Sequence, residues 1–124
     1  MRLLTIDSSV FVSAARPREP SHADSLALMA WVRAERPRLF LPTLVLVEVA
    51  SALSRTGSAA SLTQQYALAI GQLPNLVLVA LDEGLARQSA ALGARHGLRG
   101  ADAVFLASAS VFAAELITLD REQL

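Results

Sequence analysis

The stretch Leu-Leu-Thr-Ile-Asp-Ser-Ser at residues 3–9 places a short apolar run directly before an aspartate and two serines. Such an apolar run is typical of a buried β-strand, and the polar residues that follow are typical of the start of a helix. The stretch therefore predicts a strand that ends at Asp7 and leads into a helix over about residues 10–15.

The alternation of short apolar runs and longer helical segments continues along the sequence. Further strands are predicted at residues 39–41, 76–81 and 116–119. Further helices are predicted between Ser21 and Pro37 and at residues 44–55, 62–73, 82–96 and 100–113. Strands that alternate with helices of this length are typical of a parallel sheet covered on both faces. The predicted fold class is α/β, a short parallel sheet of about four strands between two helical layers, formed by a single domain over residues 1–124.

Several local features accompany this prediction. The nearly continuous apolar run at residues 76–81 is typical of a strand buried on both faces. Pro42 is expected to break the second strand, and the Thr43 hydroxyl is expected to cap the helix that follows. Asp82 is expected to open a helix that Gly97 stops.

The composition of the 124-residue sequence excludes several kinds of chemistry. No cysteine is present, which excludes disulfides, thiolate zinc sites and a cysteine nucleophile. All eleven basic residues are arginines, and eleven acidic residues balance them, so no global positive field is expected. Without lysine there is no phosphate-binding G-x-x-x-x-G-K-[ST] loop, and nucleotide cofactors are not indicated. The sequence has neither a typical signal peptide nor an apolar run long enough for a membrane span, which predicts a soluble cytoplasmic protein without a membrane partner.

Carboxylates occur at positions that favour a common site. Asp7 and Asp120 each follow a predicted parallel strand, and ligands of parallel sheets bind outside the carboxyl ends of the strands. Glu48 interrupts a strongly apolar helical segment, and Asp102 begins another. A carboxylate buried on an apolar helix face without a partner is energetically costly, so these two acids also favour a site.

Each of these acids has an alternative role when it is considered alone. Asp7 can cap a helix, Asp102 can lie in a first helical turn, Asp120 can form a turn and Glu48 can lie at the rim of the core. Considered together, two carboxylates about 4 Å apart repel each other by roughly 4 kcal/mol at an effective dielectric constant of ~20. A cluster therefore needs protons or a cation, and because no lysine is available a hard divalent cation fits best.

Oxygen ligands without cysteine or paired histidines favour magnesium or manganese over zinc. The predicted chemistry is hydrolysis of a phosphodiester by an activated water. Asp7, Glu48 and Asp102 are the predicted metal ligands and catalytic groups, with Asp120 binding directly or holding a water or a second ion. The hydroxyl groups expected to orient these carboxylates by hydrogen bonds are those of Ser8, Ser9 and Thr118.

Four segments carry a resemblance to a known family. In chain order they are IDSSV at residues 6–10, LVEVASAL at residues 46–53 followed by Arg55, LRGADA at residues 98–103 and ITLD at residues 117–120. Each segment alone is unspecific, but the four in this order resemble the PIN-domain ribonucleases, and within them the VapC-like toxins of bacterial toxin–antitoxin pairs. The resemblance covers nearly the whole chain.

This resemblance implies an endoribonuclease that cuts RNA with a divalent cation, is usually a homodimer and is held inactive by a cognate antitoxin protein. The sequence departs from the family pattern after the fourth acid, because members usually continue into another strand and helix whereas this sequence stops at Leu124.

Two alternatives stay open at this stage. An aspartyl-phosphate phosphatase also has an acid after its first strand, but it needs a second acid at the position of Ser9 and a downstream lysine, and both are missing. A catalytically silent interaction domain with a PIN-like fold is the other alternative, and the sequence does not refute it.

Overall fold

The computed structural model of the chain describes residues 1–119, which form four strands and six helices. The strands are β1 (Leu3–Ile6), β2 (Arg38–Pro42), β3 (Leu76–Val79) and β4 (Glu115–Ile117). The helices are α1 (Ser8–Ala14), α2 (His22–Glu35), α3 (Leu44–Arg55), α4 (Ala60–Ile70), α5 (Glu83–His96) and α6 (Gly100–Val111).

All strand pairs are parallel, and the order in the sheet is β3-β2-β1-β4. The chain steps from β1 to β2 to β3 in one direction through α1 to α4, and then crosses to β4 on the other side of β1 through α5 and α6. Because such crossovers are right-handed, α1 to α4 cover one face of the sheet and α5 and α6 cover the other. The predicted fold class, a four-stranded parallel sheet between two helical layers, is confirmed.

The core lies between these layers and is centred on β1. Leu4 and Ile6 of β1 are completely enclosed, as are Phe11 of α1 and Phe105 of α6. The apolar residues of α6 reach the core because this helix packs directly on β1, β2 and β4. The carboxyl end of β1 is therefore held between two neighbouring strands and a helix from each layer.

Two local predictions about the sheet are wrong. The run at residues 76–81 forms a shorter strand at the sheet's edge, and Leu78 is 40% exposed, so this strand is not buried on both faces. An apolar run cannot distinguish an edge from a central strand. Pro42 does not break β2 but is its last residue, paired with Val79, since a missing N–H is tolerated at a strand end.

The predicted helix ends agree with the structure in two of three cases. The Oδ1 atom of Asp82 accepts a 2.8 Å hydrogen bond from the Leu85 N–H and caps α5, and Gly97 ends this helix with φ +64°. Thr43 makes no side-chain cap bond because its own backbone is helical, whereas a capping residue is normally extended. Within residues 1–119, no helix combines the length and apolarity that crossing a membrane requires.

Candidate active site

A cleft of about 620 Å³ opens at the carboxyl end of β1. Its walls come from the β1–α1 junction, from α3, from the start of α6 and from the segment after β4. The described polar residues that line it are Asp7, Ser8, Ser9, Glu48, Arg99 and Asp102. Three of the four predicted carboxylates therefore face one space, although 41 positions separate Asp7 from Glu48 and 54 separate Glu48 from Asp102.

Asp7 is held rigidly at the centre of this cleft. Its side chain is only 3% exposed, and its backbone N–H donates to the Ile117 carbonyl over 2.9 Å, as in a continued β-ladder. The hydroxyls of Ser9 and Thr118 both donate to Asp7 Oδ2, over 2.7 and 3.0 Å. Within residues 1–119 no hydrogen bond is directed to Asp7 Oδ1, so the two hydroxyls orient the carboxylate without occupying both of its oxygens.

The Ser9 hydroxyl also ties the carboxylate to the segment after β4. It donates to Asp7 and accepts a 3.1 Å hydrogen bond from the Leu119 N–H. Asp7 occupies the residue before α1, yet its side chain makes no cap bond to that helix. The alternative role of Asp7 as a helix cap is therefore wrong.

Asp102 lies in the first turn of α6 and is 9% exposed. Its Oδ2 atom accepts a 3.2 Å ionic hydrogen bond from Arg99 Nε. The Arg99 side chain is 77% exposed, so the carboxylate is buried while its guanidinium partner reaches solvent. The two aspartates thus differ in their hydrogen-bond donors, because neutral hydroxyl groups hold Asp7 and the charged Arg99 guanidinium holds Asp102.

Glu48 approaches the cleft from α3 and is partly buried. Ala52, one turn later on the same helix, lines the same cleft. Among residues 1–119 no hydrogen bond or ion pair to the Glu48 side chain is formed. Glu48 therefore contributes to the cleft a negative charge that no residue of the described part of the chain pairs with.

The remaining predicted residues differ in what the structure provides. Thr118 and Ser9 make the hydrogen bonds expected of them, whereas Ser8 lines the cleft without a side-chain hydrogen bond to an acid of residues 1–119. Asp120, the fourth predicted carboxylate, lies outside the described residues. Within residues 1–119, no three acidic or histidine side chains are close enough to form a closed ligand cluster as they stand.

Arg99 is a residue of the cleft that the sequence reasoning missed. The signal was present inside the LRGADA segment, where an arginine precedes an aspartate by three positions at a helix start. The residue before a helix and the third residue of its first turn can reach each other by their side chains, and opposite charges at these two positions can pair.

The donor chemistry of the cleft fits a hard divalent cation. The described donors are carboxylate and hydroxyl oxygens, and neither sulfur nor imidazole lines the space. Three carboxylates face one guanidinium there, so the described lining carries net negative charge at neutral pH. Such a set of oxygens matches Mg²⁺ or Mn²⁺ better than zinc.

Comparisons with known proteins are consistent with this architecture. The profile of a family described as the PIN domain matches residues 4–124. In sequence, no curated protein matches the chain.

Several solved structures share the fold. The structure of VapC20 from Mycobacterium tuberculosis, described as a sarcin–ricin loop-cleaving toxin, superposes with a TM-score of 0.82 at 18% identity and covers 97% of this chain and 92% of its own. VapBC2 from Rickettsia felis, bound to a DNA fragment from its promoter, gives 0.67 at 15% identity, with coverages of 95% and 87%. A toxin–antitoxin complex from Klebsiella pneumoniae gives 0.67 at 21% identity, with coverages of 94% and 86%.

Proposed function

The chain belongs to the PIN domain family, and from this premise we propose that it is a divalent-metal-dependent endoribonuclease, the toxin of a toxin–antitoxin pair. The observation that carries the proposal is the convergence of Asp7, Glu48 and Asp102, from three separate elements, on one cleft. Carboxylates that face one cleft at the carboxyl ends of parallel strands offer oxygen ligands to a divalent cation, and a phosphodiesterase gives such a site a use.

Asp7, Glu48 and Asp102 are the residues that would hold Mg²⁺ or Mn²⁺, with Asp120 as the fourth proposed carboxylate. The chemistry supplied at such a site by the cation is Lewis-acid activation of the phosphodiester and of the attacking water. These assignments rest on the shared cleft and on its oxygen-only donor set.

The chain's own residues contribute orientation. Ser9 and Thr118 hold Asp7 Oδ2 from two directions, which leaves Oδ1 as the oxygen able to meet a ligand in the cleft. Hydrogen bonds of this kind keep a metal-binding carboxylate in one rotamer and commonly change metal affinity or activity by about 10- to 100-fold when they are lost. Glu48 of α3 and Asp102 of α6 supply negative charge from the two helical layers, so the cation would be bound between them.

The proposed substrate and partners follow from the relatives. VapC20 is described as a toxin that cleaves the sarcin–ricin loop, and the other two structures contain toxin–antitoxin assemblies. By analogy we propose RNA as the substrate and a cognate antitoxin protein as the inhibitor. The fold they share supports this analogy, and the carboxylates of the cleft supply its chemistry. The homodimer and the cytoplasmic location are proposed from the family resemblance of the sequence alone.

A cleavage assay with the purified protein tests the proposal. Single-stranded RNA is expected to be cut when Mg²⁺ or Mn²⁺ is present and to remain intact in EDTA. Asp7→Asn and Asp102→Asn are expected to abolish cleavage, whereas Asp24→Asn, which changes an exposed acid of α2, keeps it. Full cleavage by either cleft variant would overturn the assignment. Absence of cleavage in every protein, with divalent binding retained, would favour the silent interaction domain.

A further inference from the structure

Arg99 is the one basic side chain among the described residues that line the cleft. It is the residue before α6, with an extended backbone at φ −64° and ψ 153°, and its side chain bends back over the first helical turn to Asp102. Most of that side chain is exposed, so the guanidinium is anchored at the rim and not packed into the protein.

Arg99 is mostly exposed and Asp102 is mostly buried. Another cation can therefore take the place of Arg99 more easily than another anion can take the place of Asp102. Asp102 is only 9% exposed, and burying its charge without a counter-ion is costly. The contact of Arg99 with Asp102 can be exchanged at small cost, because the Arg99 side chain is 77% exposed and ion pairs with an exposed partner are weak. A cation that replaces Arg99 therefore binds a carboxylate that is already buried and oriented in the cleft.

We propose that Arg99 is the internal counter-ion of Asp102 in the metal-free protein, and that a divalent cation displaces it towards the phosphate backbone of the RNA. This inference rests on the proposed metal-dependent activity and deepens it. The guanidinium and a divalent cation compete for the same carboxylate and repel each other, so binding of one weakens binding of the other. Once displaced, the guanidinium remains tethered at the rim of the cleft.

The displaced arginine suits a phosphodiester. A guanidinium presents paired N–H donors that match two phosphate oxygens, and its charge does not depend on pH in the physiological range. Without a divalent cation, the three described carboxylates of the cleft outnumber its one described guanidinium, and their excess negative charge repels RNA. Occupation by a divalent cation removes part of that repulsion and releases the arginine at the same time, so metal binding is expected to precede tight RNA binding.

The first experiment measures Mn²⁺ binding by calorimetry in the full chain, without RNA. Arg99→Ala is expected to bind Mn²⁺ about two- to fivefold more tightly than the unaltered protein, the range for a competing ion pair with one exposed partner. Arg87→Ala is the matched control, because Arg87 forms an exposed ion pair with Glu83 on α5 and does not line the cleft. It removes the same charge and is expected to leave Mn²⁺ affinity unchanged.

The second experiment measures binding of a phosphorothioate single-stranded RNA by fluorescence anisotropy at several salt concentrations in Mn²⁺. Arg99→Ala is expected to bind this RNA several-fold more weakly, with a salt dependence reduced by about one phosphate contact. Arg99→Lys keeps the charge and is expected to lie between Arg99→Ala and the unaltered protein. Melting curves in EDTA establish that each variant is folded before its binding is interpreted.

The outcomes separate this inference from the proposed function. If the unaltered protein binds Mn²⁺ and Arg99→Ala binds it no more tightly, the counter-ion role is wrong while the nuclease proposal stands. If Arg99→Ala binds Mn²⁺ more tightly but RNA equally well, displacement towards phosphate is wrong. If the unaltered protein binds no divalent cation, the proposed function itself fails and this inference fails with it.

Discussion

Thr118 Oγ1 donates a 3.0 Å hydrogen bond to Asp7 Oδ2, although 111 positions separate the two residues in the sequence. The register of the sheet creates this contact, because Ile6 of β1 pairs with Ile117 of β4 in parallel and the next residue of each strand is therefore level with the other. The orientation of the central carboxylate thus depends on the last strand of the described chain.

Removal of the Thr118 hydroxyl is expected to weaken the active site without unfolding the protein. Thr118→Val keeps the size and branching of the side chain but leaves Asp7 Oδ2 with Ser9 as its described hydroxyl donor. Cleavage or Mn²⁺ affinity is expected to fall by about 10- to 100-fold, the usual effect of losing a hydrogen bond to a metal-binding carboxylate. Thr118→Ser, which retains the hydroxyl, is the control. Equal cleavage by both variants would show that this hydrogen bond does not matter.

Glu48 is expected to contribute to stabilisation by divalent ions. A cation that binds only the folded protein raises the melting temperature, so Mn²⁺ is expected to raise it in the unaltered chain and less in Glu48→Gln. Glu83→Gln changes an exposed acid of α5 outside the cleft and is expected to respond to Mn²⁺ like the unaltered chain. Differential scanning fluorimetry with and without Mn²⁺ measures the shift. Identical shifts in all proteins would remove Glu48 from the proposed site.

The two candidate helix caps are expected to differ in their contribution to stability. Asp82→Ala removes the bond to the Leu85 N–H and is expected to lower the free energy of unfolding by about 1 kcal/mol. Thr43→Ala removes a side chain that makes no cap bond and is expected to change it by less than about 0.5 kcal/mol. Urea denaturation measures both values. A larger loss in Thr43→Ala than in Asp82→Ala would contradict the assignment of these helix starts.

Tyr66 is expected to make stability fall in alkaline solution. Burial raises the pKa of the Tyr66 hydroxyl, an effect that nearby Arg33 partly offsets, and the neutral hydroxyl donates a 2.6 Å hydrogen bond to the Phe11 carbonyl. The unfolded chain releases this proton near pH 10, whereas the folded protein retains it to a higher pH. The stabilisation is therefore complete below about pH 10 and is lost as the pH rises towards the folded pKa.

Melting temperatures measured between pH 8 and pH 11 test this expectation, with the pH values chosen around the tyrosine range of about 10. Tyr66→Phe is expected to be less stable by about 1 kcal/mol at neutral pH, because the hydrogen bond is lost. Its stability is expected to decline less steeply above pH 10. Parallel declines in the two proteins would assign the alkaline loss to other groups.

Much of the fold could be predicted from local patterns. Helix and strand periodicity located the alternating elements, and Asp82 and Gly97 marked the ends of α5 because their side-chain and backbone chemistry acts within a few residues. The error at β3 has a physical cause: an apolar run records that a strand packs against something, but not whether a second strand lies beyond it. The prediction for Thr43 was wrong because the residue type alone does not reveal the backbone angles, and Thr43 has the backbone of a helical residue.

The sequence by itself determined which residues are available for chemistry: acids at strand ends and on apolar helices, no thiol and no lysine. Only the tertiary structure decided that Asp7, Glu48 and Asp102 face one cleft. It also decided that two hydroxyl groups hold Asp7 and that the Arg99 guanidinium holds Asp102. The physical reason is that sequence patterns report interactions within a turn or a strand. Distances across the cleft depend instead on strand order, on register and on the packing of helices over the sheet.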